Sequence, residues 1–225
     1  LPRGILLIGP PGTGKTLLVK TIAANLKIPV ISACGSDFIE KYVGIGAARI
    51  RTLFAKAKRK KKCIIFIDEI DAIGGNRHDE NNSERKSTLN QLLVELDGFN
   101  SSNNIILFAA TNFVSNLDPA LLRSGRFDKK VYFDPPNNEE RAEMFKLYLK
   151  DISLPETLSF ESLARRCATL TGADIANISN QAKIVAINRG EKSKKITEED
   201  LNIAIDEVMI GREKKERSLT KDELH

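Results

Sequence analysis

The sequence predicts a doubly wound parallel α/β sheet followed by a small helical domain, and three observations carry that prediction. Strand-like and helix-like stretches alternate through residues 1–135, the order that builds a parallel sheet covered by helices. A glycine-rich segment, Gly9–Thr16, joins the first strand to the first helix. After Asp134-Pro135-Pro136 the pattern becomes helical throughout, so residues 136–212 read as a helical lid and residues 213–225 as a linker toward further sequence.

Taken in order, Ile5–Ile8 is a short apolar strand and Lys15–Leu26 a helix that ends ahead of Pro29. Val30–Ala33 is a second strand, and a loop around Phe38–Gly46 leads into a helix near Ala47–Arg59. Cys63-Ile64-Ile65-Phe66-Ile67 is continuously apolar, as expected of a strand buried on both faces. A polar loop from Gly74 to Arg85 precedes a helix carrying Leu89, Leu92, Leu93 and Leu96. Ile105–Ala110 is the fourth strand and Val131–Phe133 the fifth. Glu139–Leu149, Phe160–Thr169, Ala173–Arg189 and Glu198–Val208 are helices, with Thr197-Glu198-Glu199-Asp200 as an N-terminal cap.

The glycine-rich segment reads Gly9-Pro10-Pro11-Gly12-Thr13-Gly14-Lys15-Thr16, the G-x-x-x-x-G-K-[ST] spacing of a phosphate-binding loop between strand and helix. Gly12 and Gly14 allow the backbone N–H groups to turn inward, and the helix opening at Lys15, with Thr16 and Leu17 in its first turn, adds its unpaired N–H groups. Lys15 is expected on the β- and γ-phosphates and the Thr16 hydroxyl on Mg²⁺. A nucleoside triphosphate and Mg²⁺ are therefore expected to bind here.

Two carboxylates, Asp68 and Glu69, fall at the C-terminal end of the buried third strand, the edge where doubly wound sheets bind ligands. Asp68 is expected to hold Mg²⁺, and Glu69 to orient and deprotonate a water attacking the γ-phosphorus. Asn112, closing the fourth strand, is placed to sense the γ-phosphate. Arg123 and Arg126, three residues apart beside Gly125, suit a neighbouring subunit's γ-phosphate; the plainer reading is an ion pair within the chain, with Asp118 or Asp128.

The 225 residues carry a net charge of +5, with basic density at Lys56–Lys62 and Arg212–Arg217. Neither run has interleaved aromatics, so a solvated face is favoured over nucleic acid as a partner. No apolar run approaches the ~18 residues of a membrane span, so the segment is expected to be soluble. The start at Leu1-Pro2-Arg3, almost directly in a strand, reads as a piece of something longer. Lys221-Asp222-Glu223-Leu224 is not a retention tail, because His225 follows it. Cys34, Cys63 and Cys167 have no metal or redox spacing and read as buried thiols in a reducing compartment. The two histidines, His78 and His225, form no H-E-x-x-H.

The phosphate loop, Ile67-Asp68-Glu69, Ala110-Thr111-Asn112 and Leu122-Arg123-Ser124-Gly125-Arg126-Phe127-Asp128 together resemble an AAA+ ATPase of the AAA clade, across essentially the whole chain. The resemblance implies a ring, usually hexameric, in which Arg123 and Arg126 act on the neighbouring site. It implies that Asp97-Gly98-Phe99 carries nucleotide state between subunits, and that Gly172 and Ala173 of the lid lie near the nucleotide. Ser124 stands where the family has Pro, which is expected to loosen the spacing of the arginines.

Gly35–Arg49, Thr88–Phe99, the lid from Thr171 and the tail Met209–Lys215 resemble FtsH-type membrane-anchored proteases. Ile73–Arg77 and Ala110–Phe113 resemble their i-AAA branch in the mitochondrial inner membrane, with a bacterial-type inner membrane or a plastid as other placements. By that resemblance Tyr42 and Val43 grip an unfolded or membrane protein substrate in a ring pore, an aromatic on a Gly44-x-Gly46 loop suiting unselective packing. Gly74–His78 would be a second pore loop. Tyr42 replaces the usual Phe, Lys41-Tyr42-Val43-Gly44 also resembles proteasomal ATPases, and Lys183 replaces a common Ala. The resemblance places Zn²⁺ only in a protease domain beyond this chain. The alternative is a stand-alone AAA remodelling ATPase without protease.

Overall fold

The computed structural model of the chain describes residues 4–39, 44–60, 62–74, 83–98, 104–189 and 195–222. It divides into two compact units, Leu1–Asp134 and Pro135–His225.

The first unit holds a five-stranded sheet: β1 (Gly4–Ile8), β2 (Val30–Cys34), β3 (Lys62–Asp68), β4 (Asn104–Thr111) and β5 (Lys129–Tyr132). Every pairing is parallel, in the order β2-β3-β4-β1-β5. The connection leaving β1 runs to the far edge at β2, whereas the connection leaving β4 crosses β1 to reach β5. Departing chains therefore separate at the C-terminal ends of β1 and β4, and a separation of this kind opens the ligand crevice of such sheets.

Helices α1 (Lys15–Leu26), α2 (Ile45–Lys58), a one-turn α3 (Asp71–Gly74) and α4 (Ser83–Asp97) complete the unit. Strand alternation sorts the core into two layers. Leu6, Ile8, Ile65, Ile67, Leu107 and Ala109 face α2 and α4 through Ile50, Phe54, Leu92 and Leu96. Leu7, Ile64, Phe66, Phe108 and Ala110 face α1 through Val19 and Ala23. As its unbroken apolar run predicts, β3 is buried from Cys63 to Ile67 on both sides. The polar loop predicted from Gly74 is shorter than expected: α3 occupies its start and α4 begins at Ser83. Among the described residues, no helix is long and apolar enough to cross a membrane.

The second unit is helical: α5 (Asn138–Leu149), α6 (Phe160–Arg166), α7 (Gly172–Asn188) and α8 (Glu198–Asp222). Phe145, Leu149, Leu163, Ile175, Ile178, Leu201 and Ile205 make its core. Its helix starts are set by side chains, as with Asn137 and Glu140 at α5 and Thr171 and Asp174 at α7. The predicted cap at α8 forms, with Asp200 Oδ2 accepting the Thr197 N–H at 2.8 Å and the Thr197 hydroxyl accepting the Asp200 N–H at 3.3 Å. Residues 213–222, expected as linker, continue α8.

Candidate active site

The C-terminal ends of β1, β3 and β4 bring the phosphate loop, the carboxylate pair and Asn112 together. Loop and sheet are tied by the Gly9 N–H, which donates to the Thr111 carbonyl at 3.2 Å. Gly12 and Gly14 sit at φ +78° and +94°, the left-handed conformation that glycine reaches without a Cβ clash. Pro10 and Pro11 are exposed on the loop, and Thr13 braces it by donating to the Pro10 carbonyl at 2.8 Å. No side chain caps α1, and its first turn carries no acid, so the N–H groups of Lys15, Thr16 and Leu17 stand open to an anion.

Lys15 is 7% exposed. Its ammonium donates to the carbonyls of Gly9 at 2.6 Å and Pro10 at 2.8 Å, and to Asn112 Oδ1 at 3.0 Å. Burial lowers its pKa below the ordinary lysine value, opposed by the charges of Asp68 and Asp71. An ammonium can only donate, so the oxygen of the Asn112 amide must face it. The Nδ2 hydrogens then remain for a phosphate oxygen or a water.

The Thr16 hydroxyl donates to Asp68 Oδ2 at 2.8 Å, which places the two expected Mg²⁺ ligands side by side. Asp68 Oδ1 accepts the backbone N–H of Glu69 at 3.0 Å. Clustered hydroxyl and carboxylate oxygens fit a hard divalent cation, and the open helix start beside a buried lysine fits phosphate. Beyond them lies a cavity of about 400 Å³ lined by Thr16, Val19, Cys34, Phe66, Asp68 and Glu69.

Glu69 itself adopts φ +49°, a strained conformation for a side-chain-bearing residue and one that clusters at functional sites. Its exposed carboxylate accepts from the Cys34 thiol at 3.3 Å, and Cys34 Sγ in turn accepts from the Ser36 hydroxyl at 3.0 Å. The expectation that Cys34 is a buried thiol is thus corrected: Cys63 and Cys167 are buried, whereas Cys34 is half-buried at the site. Burial pushes the Cys167 thiol up to about 11. Cys34 ends β2 in register with Asp68, so its strand delivers it to the same edge. Next to it, Gly35 packs so tightly that a Cβ there would lie 2.1 Å from the Glu69 carbonyl. Gly35→Ala should therefore displace the Glu69 backbone and cost about 1–3 kcal/mol of stability, measured by thermal unfolding, with a fall in ATP turnover.

The two arginines are not equivalent. Arg123 is exposed, and its guanidinium makes no hydrogen bond or ion pair among the described residues. Arg126 forms an ion pair within the chain, as in the plainer reading, but with Asp97 in place of Asp118 or Asp128. Its Nε and Nη2 donate to the Asp97 carboxylate at 2.8 and 2.7 Å, and Nη1 donates to the Ala120 carbonyl at 2.7 Å. The Asp97 hydrogen bonds raise its pKa further. Around Ser124 the chain makes a tight turn: the Arg126 N–H donates to the Arg123 carbonyl at 3.1 Å, and Gly125 sits at φ +83°.

Gly98 follows α4 and donates its N–H to the Val94 carbonyl at 2.9 Å; Phe99 lies outside the described residues. Tyr42 and Val43 also lie outside them, as do residues 75–78 of the second expected pore loop, while Gly74 ends α3. Gly172 and Ala173 open α7 in the second unit. Sequence reasoning missed Cys34 and Asp71 as members of the site, although Cys34 ends β2 and Asp71 opens α3 just after β3.

A parallel sheet carrying this loop, this lysine and this carboxylate pair at its C-terminal edge defines a P-loop nucleoside triphosphatase. Residues 5–135 match the family described as ATPase family associated with various cellular activities (AAA), and residues 157–203 match the AAA+ lid domain. The chain belongs to the AAA family and is an ATPase. It is 49% identical, over 99% of its length, to a protein of Rhodothermus marinus named ATP-dependent zinc metalloprotease FtsH, of which it covers 32%. Proteins of the same name from Parabacteroides distasonis and Thermotoga maritima are each 47% identical over 99% of the chain, with 33% and 37% of their lengths covered. The chain thus spans about a third of the length of these curated relatives. All three are bacterial and give no support to the mitochondrial placement.

Proposed function

We propose that the chain is the ATPase module of an FtsH-like, membrane-anchored zinc metalloprotease, and that it threads polypeptide through a ring of its own copies. The observation that carries the hydrolytic part is the meeting of Lys15 with Asn112, and of Thr16 with Asp68, directly beside Glu69. Lys15 and the open N–H groups of α1 bind the triphosphate. Thr16 and Asp68 hold Mg²⁺, which supplies charge stabilisation at the phosphates when bound. Glu69 takes the proton of the attacking water, and Asn112 orients that water through Nδ2. Arg123 serves the neighbouring subunit's site. The Asp97–Arg126 pair links the segment expected to carry nucleotide state to the arginine turn, which supports coupling between subunits.

The family resemblance assigns Gly172 and Ala173 to nucleotide binding and Tyr42 and Val43 to gripping the substrate. We assign residues 1–135 to nucleotide binding and residues 136–212 to the lid, a boundary one residue from the division between the compact units. The similarity to proteins named ATP-dependent zinc metalloprotease supports a Zn²⁺ protease domain in the full-length protein; its place after this chain and the anchor in a bacterial-type inner membrane rest on the family resemblance. Unfolded protein should raise the ATPase rate of the assembled ring, while DNA or RNA leaves it unchanged; stimulation by nucleic acid alone would overturn the threading assignment. An H-E-x-x-H soon after His225 in the gene is the expected companion, and its absence would favour a stand-alone remodelling ATPase.

A further inference from the structure

We propose that Asp71 is a positioning residue for ATP hydrolysis, acting through the Thr111 hydroxyl to fix the turn that aims the Asn112 amide. The inference rests on the ATPase reading of the same site and adds to it a residue that acts through another side chain.

Asp71 is the first residue of α3, two positions past the carboxylate that serves as base. Thr111 is the last residue of β4 and is 1% exposed. Its hydroxyl donates to Asp71 Oδ1 at 2.7 Å and accepts the Phe113 N–H at 3.1 Å. A threonine hydroxyl has one proton and keeps its lone pairs for donors. Giving that proton to Asp71 points a lone pair at Phe113, and the turn between them carries Asn112. The Thr111 carbonyl meanwhile receives the Gly9 N–H of the phosphate loop, and the Ala110 carbonyl receives the Ile70 N–H at 3.0 Å. The Asp71–Thr111 bond therefore ties the segment after the carboxylate pair, the Asn112 turn and the start of the phosphate loop into one unit. Its carboxylate also sits close enough to Lys15 to act on it electrostatically. Acceptor and charge are thus two separable roles, and the geometry assigns the positioning to the acceptor.

Turnover, KM and binding of a fluorescent ATP analogue are to be compared in four variants. Asp71→Ala and Thr111→Val should each lower kcat about 10- to 100-fold, the usual loss for a residue supporting a reactive group, with analogue binding and KM little changed. Asp71→Asn keeps an oxygen acceptor and should restore most of the rate. Asp71→Ala combined with Thr111→Val should be no slower than either alone, because both cut the same link. Amide exchange at Phe113 should quicken in Asp71→Ala, a readout that needs no turnover and survives weak activity. Wild-type kcat in Asp71→Ala, an Asn variant as slow as the Ala variant, additive losses, or unchanged Phe113 exchange would each overturn the proposal. Absence of turnover in the wild-type chain, with Phe113 exchange still responding, would fault the ATPase reading instead.

Discussion

Glu69→Gln is expected to bind ATP as the wild type does and to lose about 10²- to 10⁴-fold in turnover, the range that general-base catalysis contributes. The substitution is nearly isosteric. It keeps the backbone bond from the Glu69 N–H to Asp68 Oδ1, and its amide oxygen can still accept from the Cys34 thiol. The groups assigned to the triphosphate, Lys15 and the start of α1, are untouched. Only the capacity to take a proton from water disappears. Equilibrium binding of labelled ATP beside single-turnover hydrolysis separates the two effects. Near-wild-type hydrolysis would mean that another group is the base, and lost binding would mean that Glu69 shapes the ground state. Asp68→Asn makes the useful contrast, because it weakens the oxygen cluster shared with Thr16.

The strained φ of Glu69 explains part of why this residue is the one to test. Strain of this kind persists only where surroundings hold it, here the Ala72 N–H on its carbonyl and the close backbone of Gly35. A carboxylate so held would meet an attacking water with little reorganisation.

Much of this site is legible in the sequence because phosphate chemistry constrains contiguous residues. Gly9–Thr16 must be loop and helix start in one stretch, and Asp68-Glu69 must end a strand whose apolar run is itself conspicuous. The strand and helix order follows from the same hydrophobic periods, and it fixes which strand ends share an edge. What the sequence does not reveal depends on register and rotamer. Cys34 meets Glu69 only because β2 and β3 pair with Cys34 opposite Asp68. Asp71 meets Thr111 only because a single helical turn follows Ile70. Nothing local distinguishes Arg123 from Arg126 either; the difference lies in where the turn points each side chain, and in Asp97 at the end of a distant helix.

That difference sets the final expectation: Arg123→Ala should lower ATP turnover at saturating ATP by about 10³- to 10⁵-fold, the worth of an arginine supplied to a phosphoryl transition state. Arg123 is exposed and uncommitted among the described residues, so a neighbouring subunit can receive it without breaking a bond. Arg126 would first have to give up a bidentate carboxylate and a carbonyl. A two-pronged arginine pair is among the stronger charge-assisted contacts, so Arg126 serves better as the strut that holds the turn. Arg126→Ala should accordingly act partly through stability, and its loss should be smaller than that of Arg123→Ala. Supply in trans is tested by mixing Arg123→Ala subunits with Lys15→Ala subunits, each inactive by itself. An intact nucleotide site on the first then meets an intact Arg123 on the second, and mixed assemblies should regain activity. The wild-type rate per subunit should also rise with protein concentration. No recovery in mixtures shown to co-assemble, or a constant rate per subunit in a protein shown to be monomeric, would place Arg123 outside the neighbour's site.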